Sequence, residues 1–111
     1  MFSFLTLIAM LLKKSISRKL LRQPKLTILI SGHTDSKGSR KYNLRLGLLR
    51  AKAIADLLES KGVNIHRMNI ISYGDQIPAI NTNSNFADLE RLNRRVEIVY
   101  QFKVNNNEPL Y

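Results

Sequence analysis

The sequence contains no cysteine and only two histidines, and no acidic residue precedes Asp35. Without cysteine the chain has no disulfide framework and no thiolate metal site. Neither His33 nor His66 has acidic residues clustered around it, so we expect no metal site and no cofactor. The motifs G-x-x-x-x-G-K-[ST] and G-x-G-x-x-G are also absent, which excludes the two common glycine-rich phosphate-binding loops.

A hydrolase site is not supported either. Ser31 or Ser36 could be combined with His33 and Asp35, but the G-x-S-x-G turn that presents a nucleophilic serine in many hydrolases is missing. We therefore expect a protein that is not an enzyme.

The N-terminus has neither a membrane span nor a typical export signal. Residues 1–12 are apolar, but a spanning helix needs about 20 such residues. The first basic residues follow this apolar run, and no small-x-small cleavage site comes after it, which is unlike a secretory signal peptide. Export therefore cannot be inferred from this end of the sequence.

The composition is typical of one folded domain, with 111 residues of which 44% are apolar and 23% charged. The net charge of +10 is unusual, and six basic residues lie between Lys13 and Lys25 before any acidic one. Such a block attracts polyanions and anionic lipid surfaces, so binding to nucleic acid or to a membrane surface is an alternative function. Basic runs are more often simply solvated faces.

Two helices are predicted from apolar residues that recur every three or four positions. The first pattern runs from Leu5 to Leu20 and ends before Pro24. We favour a helix that packs on the core over one that lies in a membrane interface. The second helix is predicted at residues 43–61, followed by Gly62 as its stop. Its apolar stripe consists of Leu44, Leu48, Ala51, Ala55 and Leu58.

Short apolar runs and period-two alternation predict the strands. These strands cover residues 25–31, 68–73 and 96–104, with a loop at 76–85 and a helical turn at 86–92. Helices that alternate with strands predict an α/β (α+β) fold, in which the helices pack on one face of a mixed sheet.

Arg50 breaks the pattern of the second helix. It lies in the row Leu46, Arg50, Ile54 and Leu57, so its guanidinium falls along the edge of the apolar stripe. An unpaired buried charge is costly, so a carboxylate or a bound anion is expected nearby, and Asp35 is the nearest candidate in the sequence. Alternatively, the head group of Arg50 reaches water, and Asp35 is only a turn residue.

Arg94 is in phase with the apolar residues Val96, Ile98 and Tyr100 of the last predicted strand. This phase places Arg94 on the core side of the start of the strand. Arg95 is then its ordinary, solvent-facing neighbour. From alternation alone, a solvated strand terminus is an equally good interpretation of Arg94.

Several segments together resemble a known family. They are residues 30–39 (ISGHTDSKGS), 42–44 (YNL), 50–51 (RA), 73–74 (YG) with Pro78, and 93–98 (NRRVEI). In this order and spacing, from residue 25 to residue 104, the sequence is similar to the OmpA-like C-terminal domain family, which includes OmpA proteins, Pal lipoproteins and MotB stator proteins. The resemblance implies a β/α/β/α/β sandwich that binds peptidoglycan without hydrolysing it, chiefly through the free end of diaminopimelate in the stem peptide.

The resemblance also implies the binding residues. The family's ligand aspartate falls on Asp35 and its ligand arginine on Arg50. Asn43 and Arg94 match further pocket positions, and Thr34 lies beside the aspartate. The free end of diaminopimelate is a zwitterion, so it needs a carboxylate for its ammonium and a guanidinium for its carboxylate. Without ligand, Asp35 and Arg50 are expected to neutralise each other.

A protein of this family is expected to tether an outer-membrane or envelope component to the cell wall, on the periplasmic side of the outer membrane. Its expected partners are peptidoglycan and an envelope protein or membrane, with no specific nucleic acid. We assign residues 1–24 to an N-terminal apolar and basic helix, residues 25–104 to the OmpA-like domain, and residues 105–111 to a flexible tail.

Three features depart from the family pattern. Gly47 stands where the family usually has serine, and Glu90 stands where glycine usually precedes Arg91, which predicts a differently shaped loop before the last strand. The family also has a strand before its first helix, and only residues 1–4 remain to supply it. Two interpretations follow, a fragment or a truncated reading frame, and if the first strand is absent a sheet edge lies open.

Overall fold

The chain folds into a mixed sheet with helices packed against it, as seen in a computed structural model that describes residues 15–78 and 86–102. Within these residues the sheet has three strands in the order β2-β1-β3, with β1 parallel to β2 and antiparallel to β3. The elements in chain order are α1 (described over residues 15–22), β1 (Leu26–His33), α2 (Arg40–Ser60), a short 3-10 helix (Ile65–Arg67), β2 (Met68–Gly74), α3 (Phe86–Asn93) and β3 (Val96–Phe102). The predicted α/β fold with a mixed sheet is confirmed.

The hydrophobic core lies between one face of the sheet and the helices α1 and α2. The period-two alternation of β1 points Ile28 and Ile30 to this face, where they are fully buried. Their β3 partners Tyr100 and Ile98 pack against the same core. The buried hydrophobic residues are Ile16, Leu20, Leu26, Ile28, Ile30, Ala51, Ile54, Ala55, Leu58, Val63 and Met68.

Helix α1 contributes to this core. Ile16 and Leu20 are buried among the core residues, which confirms the predicted core-packing side for the described part of the helix. Lys19 lies on the other side, with its Nζ atom 4.4 Å from the centre of the Tyr100 ring. In the described ranges, none of the helices combines the length and the apolarity needed to cross a bilayer.

The sequence predictions for residues 1–14, 79–85 and 103–111 lie outside the described residues. They include the N-terminal part of the first helix, the proposed remnant of a first strand, most of the loop at 76–85 and the C-terminal tail.

Helix α2 begins earlier than predicted. It starts at Arg40 because Ser39 caps it, with the Ser39 hydroxyl accepting a hydrogen bond from the Tyr42 N–H at 3.1 Å. At the other end the Lys61 N–H donates to the Leu58 carbonyl, and Gly62 follows with φ of +95°.

The buried face of α2 differs from the predicted apolar stripe. Leu48 is 47% exposed, although the stripe placed it in the core. The buried row instead contains Asn43, Gly47 and Arg50, and it continues through Ala51, Ile54, Ala55 and Leu58. The helix is turned toward this row because Gly47 contacts the sheet backbone directly, and a pattern of hydrophobic residues does not register a glycine contact.

The contact that orients α2 joins Gly47 to Gly32 of β1. A Cβ atom added to Gly32 would overlap the carbonyl group of Gly47, and one added to Gly47 would lie 2.9 Å from the Gly32 carbonyl oxygen and overlap Ser72 Oγ. Both positions therefore need a residue without a side chain. Ser72 of β2 occupies the space that a serine at position 47 would need, so the departure at Gly47 fits the local packing.

We predict that Gly32→Ala destabilises the fold by about 3 kcal/mol, because the added methyl group must push two backbones apart. The measurement is the free energy of unfolding from urea denaturation. Gly62→Ala is the matched control: it strains a positive φ but meets no neighbouring atom within 4 Å, so we expect a loss of about 1 kcal/mol. Equal losses in the two variants would contradict the proposed role of the Gly32–Gly47 contact.

Candidate functional site

The candidate site lies where the carboxyl ends of the parallel strands β1 and β2 meet the first turns of α2 and the start of β3. Crevices at the carboxyl ends of parallel strands are common ligand sites in α/β folds. The loop that follows β1 is fixed at its beginning, because the His33 N–H donates to the Arg95 carbonyl and the Thr34 N–H donates to the Gly74 carbonyl, both at 2.9 Å. The predicted site residues Thr34, Asp35, Asn43, Arg50 and Arg94 all come from the elements that meet here.

Asp35 is partly buried in this loop and accepts two hydrogen bonds from protein groups. Its Oδ2 atom accepts from Arg94 Nη1 at 2.9 Å, and its Oδ1 atom accepts from the Lys37 N–H at 3.1 Å. Burial alone would raise the pKa of Asp35, but these hydrogen bonds and the charges of Arg94 and Lys37 outweigh burial and lower the pKa below its ordinary value. The side chain is therefore an aspartate anion at neutral pH.

Thr34 precedes Asp35 and is buried, with 3% of its surface exposed. Its hydroxyl donates to the Asp35 carbonyl oxygen at 3.0 Å. In the structure Thr34 therefore shapes the backbone of the loop that carries the aspartate.

Arg50 is 8% exposed and lies within the buried face of α2, not along the edge of an apolar stripe as predicted. Its Nη1 atom donates to the carbonyl oxygen of His33 at 3.0 Å. Among the described residues this is the bond that the head group makes with the protein, so the alternative of a head group that also reaches water stays open. The hydrogen bond fixes the guanidinium at the end of β1, next to the loop that carries Asp35.

The predicted neutralisation of Arg50 by Asp35 is corrected by the structure. Among the described residues, the ion pair of Asp35 is formed with Arg94 and not with Arg50. Burial lowers the pKa of Arg50, and the charge of Asp35 opposes this shift, so the two groups interact electrostatically without direct pairing. The two opposite charges thus face the same region while each is held by a different protein group.

Asn43 is the most deeply buried polar residue of the site, with 1% of its surface exposed. Neither its Oδ1 nor its Nδ2 atom has a hydrogen-bond partner within the part of the chain that the structure describes. A Cβ atom at Gly38 would lie 3.4 Å from Asn43 Oδ1, so the glycine keeps the loop close to this amide. Leaving a buried polar group without a partner costs about 1–3 kcal/mol, which makes this amide a candidate for a ligand contact.

The two arginines before β3 have different partners. Arg94 precedes the strand and forms the ion pair with Asp35, and 41% of its side chain is exposed, so the prediction of its side of the sheet stays a prediction. The expectation that Arg95 is the solvent-facing member is wrong, because its side chain is 21% exposed and that of Arg94 is 41% exposed. Arg95 is covered because its guanidinium donates to Glu97 Oε2 at 3.0 Å and to the Ile77 carbonyl at 2.9 Å.

His33 forms a buried cluster on the sheet face opposite Arg50. Its Nε2 atom lies 3.0 Å from both Ser31 Oγ and Glu97 Oε2, and its ring stacks on Tyr73 at 5.5 Å. Burial lowers the pKa of His33, and the charge of Arg95 adds to this shift. Ser31 and Glu97 contact the same ring nitrogen, so this geometry does not provide the relay in which a histidine links a serine to a carboxylate through its two nitrogens.

Glu90 also lies at the site. From the sequence it was expected only to change the shape of the loop before the last strand. It is 5% exposed, and its Oε2 atom accepts from both the N–H and the hydroxyl of Ser36 at 3.0 Å. The sequence carries a weak signal for this contact. Glu90 and the buried Asn93 are three residues apart in α3, so an acidic residue shares the buried row of a short helix.

Two further features bear on possible ligands. Within residues 15–78 and 86–102, no group of three His, Asp or Glu side chains could hold a metal ion. A separate apolar cleft between α2 and β2 contains none of the predicted site residues. It is lined by Leu48, Lys52, Ala55, Asp56, Glu59, Ile65, Met68 and Ile70.

Comparison with protein-family models matches residues 9–91 of the chain to the OmpA family. A peptidoglycan-associated lipoprotein of Legionella pneumophila is 38% identical over 78 residues, which are 70% of this chain and 43% of that protein. A peptidoglycan-associated lipoprotein of Brucella melitensis is 51% identical over 57 residues, which are 51% of this chain and 34% of that protein. The chain therefore spans less than half the length of these two relatives.

Solved structures show the same fold. The crystal structure of the peptidoglycan-associated lipoprotein from Burkholderia pseudomallei matches with a TM-score of 0.72 and 35% identity, covering 84% of this chain and 76% of that chain. The periplasmic domain of Helicobacter pylori MotB matches with a TM-score of 0.71 and 25% identity, covering 87% of this chain and 64% of that chain. These similarities agree with the resemblance that the sequence motifs indicated.

We predict that Arg94→Ala raises the pKa of Asp35, because it removes the hydrogen bond and the charge that oppose the effect of burial. The pKa can be measured from the carboxyl carbon shift of Asp35 in an NMR titration. Arg45→Ala, which removes an exposed arginine of α2, is the control and should leave the Asp35 titration unchanged. An unchanged Asp35 pKa in Arg94→Ala would contradict the assigned ion pair.

The same pair predicts a pH dependence of stability. The folded pKa of Asp35 is lowered, so its contribution to the free energy of unfolding is fully present above about pH 3.9, the ordinary value of an aspartate. This contribution is lost as the pH falls through the lowered folded pKa. The difference in unfolding free energy between wild type and Arg94→Ala should therefore shrink in acid, and a difference that grows in acid would be inconsistent with the pair.

Proposed function

This chain belongs to the OmpA family, and on that premise we propose that it binds peptidoglycan without cleaving it. Relatives whose names describe them as peptidoglycan-associated support this proposal. The chain covers only part of those relatives, so the proposal concerns the domain and not the whole of any longer protein.

We propose that the ligand is the free end of diaminopimelate in the stem peptide. This end carries one ammonium and one carboxylate group, and the site offers groups of both signs. Arg50 would receive the carboxylate, because a guanidinium can donate two parallel hydrogen bonds to it. Asp35 would receive the ammonium, because a carboxylate has about four lone-pair positions and, within residues 15–78 and 86–102, two protein donors are seen on it.

The observation that carries this proposal is the buried amide of Asn43, which has no partner among the described residues and lies next to Gly38 of the loop that carries Asp35. An amide both donates and accepts, so Asn43 matches a zwitterion, to which it can donate through Nδ2 and from which it can accept through Oδ1. Arg94 would close the site from the side of β3 while it holds Asp35. Thr34 would act indirectly, through the shape of the loop.

In the cell envelope, such a domain would tether an outer-membrane or envelope component to the wall, on the periplasmic side of the outer membrane. Its partners would be peptidoglycan and the envelope component to which it is joined. Non-catalytic binding is consistent with the His33 cluster, in which the serine and the carboxylate share one ring nitrogen.

The test is a pulldown on purified sacculi, with free diaminopimelate as the competitor. We expect Asp35→Ala to weaken binding by about tenfold to a hundredfold, because it removes the charged partner of the ammonium. Asp56→Ala, which removes an exposed aspartate of α2 in the separate cleft, is the matched control. Equal binding by wild type and Asp35→Ala, or no competition by diaminopimelate, would contradict the proposed site.

Arg50→Lys tests the second charge. Lysine keeps the positive charge but cannot form the paired hydrogen bonds of a guanidinium. We expect about a tenfold loss of affinity for diaminopimelate by isothermal titration calorimetry, with a folded protein by circular dichroism. Affinity equal to that of wild type would show that Arg50 does not bind the ligand carboxylate.

The alternative function, binding of polyanions or anionic lipid surfaces, is favoured by the exposed basic residues Arg18, Lys19, Arg22 and Lys25 on and after α1. Binding that depends on several such charges falls steeply as salt is raised. The sacculus pulldown should therefore be repeated over a range of salt concentrations. A steep loss that is the same for wild type and Asp35→Ala would favour the alternative over the proposed site.

A further inference from the structure

Glu90 of α3 and Arg94 just beyond it hold two successive residues of the loop that follows β1, Asp35 and Ser36. Arg94 donates to Asp35, and Glu90 accepts two hydrogen bonds from Ser36. The loop supplies a hydrogen-bond acceptor at Asp35 and two hydrogen-bond donors at Ser36. A shift of the loop by one residue would break both contacts, so together they fix its register against α3.

Of the two side chains that hold the loop, Glu90 is more buried than Arg94. It is 5% exposed, whereas the side chain of Arg94 is 41% exposed. A buried carboxylate is costly unless donors satisfy it, and both donors to Oε2 come from Ser36. Moving the loop would therefore take both donors away from the buried Glu90 carboxylate. This cost makes the Glu90–Ser36 contact hard to break.

The backbone between Asp35 and Lys37 donates to two carboxylates. The Ser36 N–H donates to Glu90, and the Lys37 N–H donates to the side chain of Asp35. The bond from the Ser36 N–H to Glu90 fixes the backbone just before Lys37. The position of the Lys37 N–H, and therefore its bond to Asp35, depends on this backbone. The direction of the Asp35 carboxylate is thus set partly by Glu90, which is 54 positions from Ser36 in the sequence.

We propose that Glu90 is a positioning residue for the ligand, which acts through Ser36 to aim the carboxylate of Asp35 at the ligand ammonium. This inference rests on the proposed function of the site. Glu90 is assigned a positioning role and no direct contact with the ligand, because its Oε2 atom already accepts two protein donors.

The experiment measures the affinity for free diaminopimelate by titration calorimetry in Glu90→Gln, Glu90→Ala, Ser36→Ala and the double variant Ser36→Ala/Glu90→Ala. Glutamine keeps an acceptor oxygen, so we expect a smaller loss for Glu90→Gln than for Glu90→Ala, which should weaken binding by about tenfold. The double variant should bind no more weakly than Glu90→Ala, because Glu90→Ala already removes the acceptor of the Ser36 hydroxyl, whereas Ser36→Ala alone leaves the backbone bond in place. Amide hydrogen exchange at Ser36 should be faster in Glu90→Ala than in wild type.

Glu59→Gln and Glu59→Ala are the matched controls, because Glu59 is an exposed acidic residue of α2 away from the site. They should bind as wild type does. The melting temperature separates positioning from stability: the positioning role requires that Glu90→Gln lose affinity while its melting temperature stays close to that of wild type.

Wild-type affinity in both Glu90→Gln and Ser36→Ala would overturn the inference while leaving the proposed function intact, and it would do so even if Glu90→Ala failed to fold. The inference would also be overturned if the Glu90 variants lost affinity for diaminopimelate only to the extent that they lost folded protein. Failure of the wild-type protein to bind diaminopimelate is a different result, because it refutes the proposed ligand and the positioning role with it.

Discussion

The close contact between Gly32 of β1 and Gly47 of α2 determines where the chemistry of this domain lies. Gly47 shares its row of α2 with Asn43, four residues before it, and with Arg50, three residues after it, and all three are buried. Because Gly47 lies directly on the end of β1, its two polar neighbours are carried to the carboxyl end of the strand. There Arg50 reaches the His33 carbonyl, and Asn43 lies beside the loop that carries Asp35.

The site accordingly collects buried polar groups that a purely structural role would avoid. Most of them are satisfied by the protein, as Arg50 is by His33, Asp35 by Arg94 and Glu90 by Ser36. Among the described residues, the amide of Asn43 has no partner for either of its polar atoms, and His33 Nδ1 and Arg95 Nη1 also have none. Holding charges of both signs in fixed positions is the arrangement that the proposed binding of a small zwitterion needs, because preorganised groups lose little conformational freedom on binding.

The sequence pattern predicted the fold, the three strands and the second helix. These features follow from the periodicity of apolar residues, which is a local property of the sequence. The pairing of Asp35 with Arg50 was wrong, because the acceptor that Arg50 uses is a backbone carbonyl, and any residue could supply it. The misplaced stripe through Leu48 has a similar cause, because the helix is oriented by a glycine contact that hydrophobicity does not record. Glu90 was missed as a functional residue because its partner Ser36 is far away in the sequence.

The most direct test of the proposed site is to add free diaminopimelate to isotopically labelled protein and follow the side-chain amide of Asn43 by NMR. If the ligand enters beside Asp35 and Arg50, the Asn43 NH₂ resonances should shift in a saturable way, and hydrogen exchange of this group should slow. If the largest resonance shifts came from the separate cleft around Leu48, Ile65 and Met68 and the Asn43 resonances did not move, the ligand would bind elsewhere.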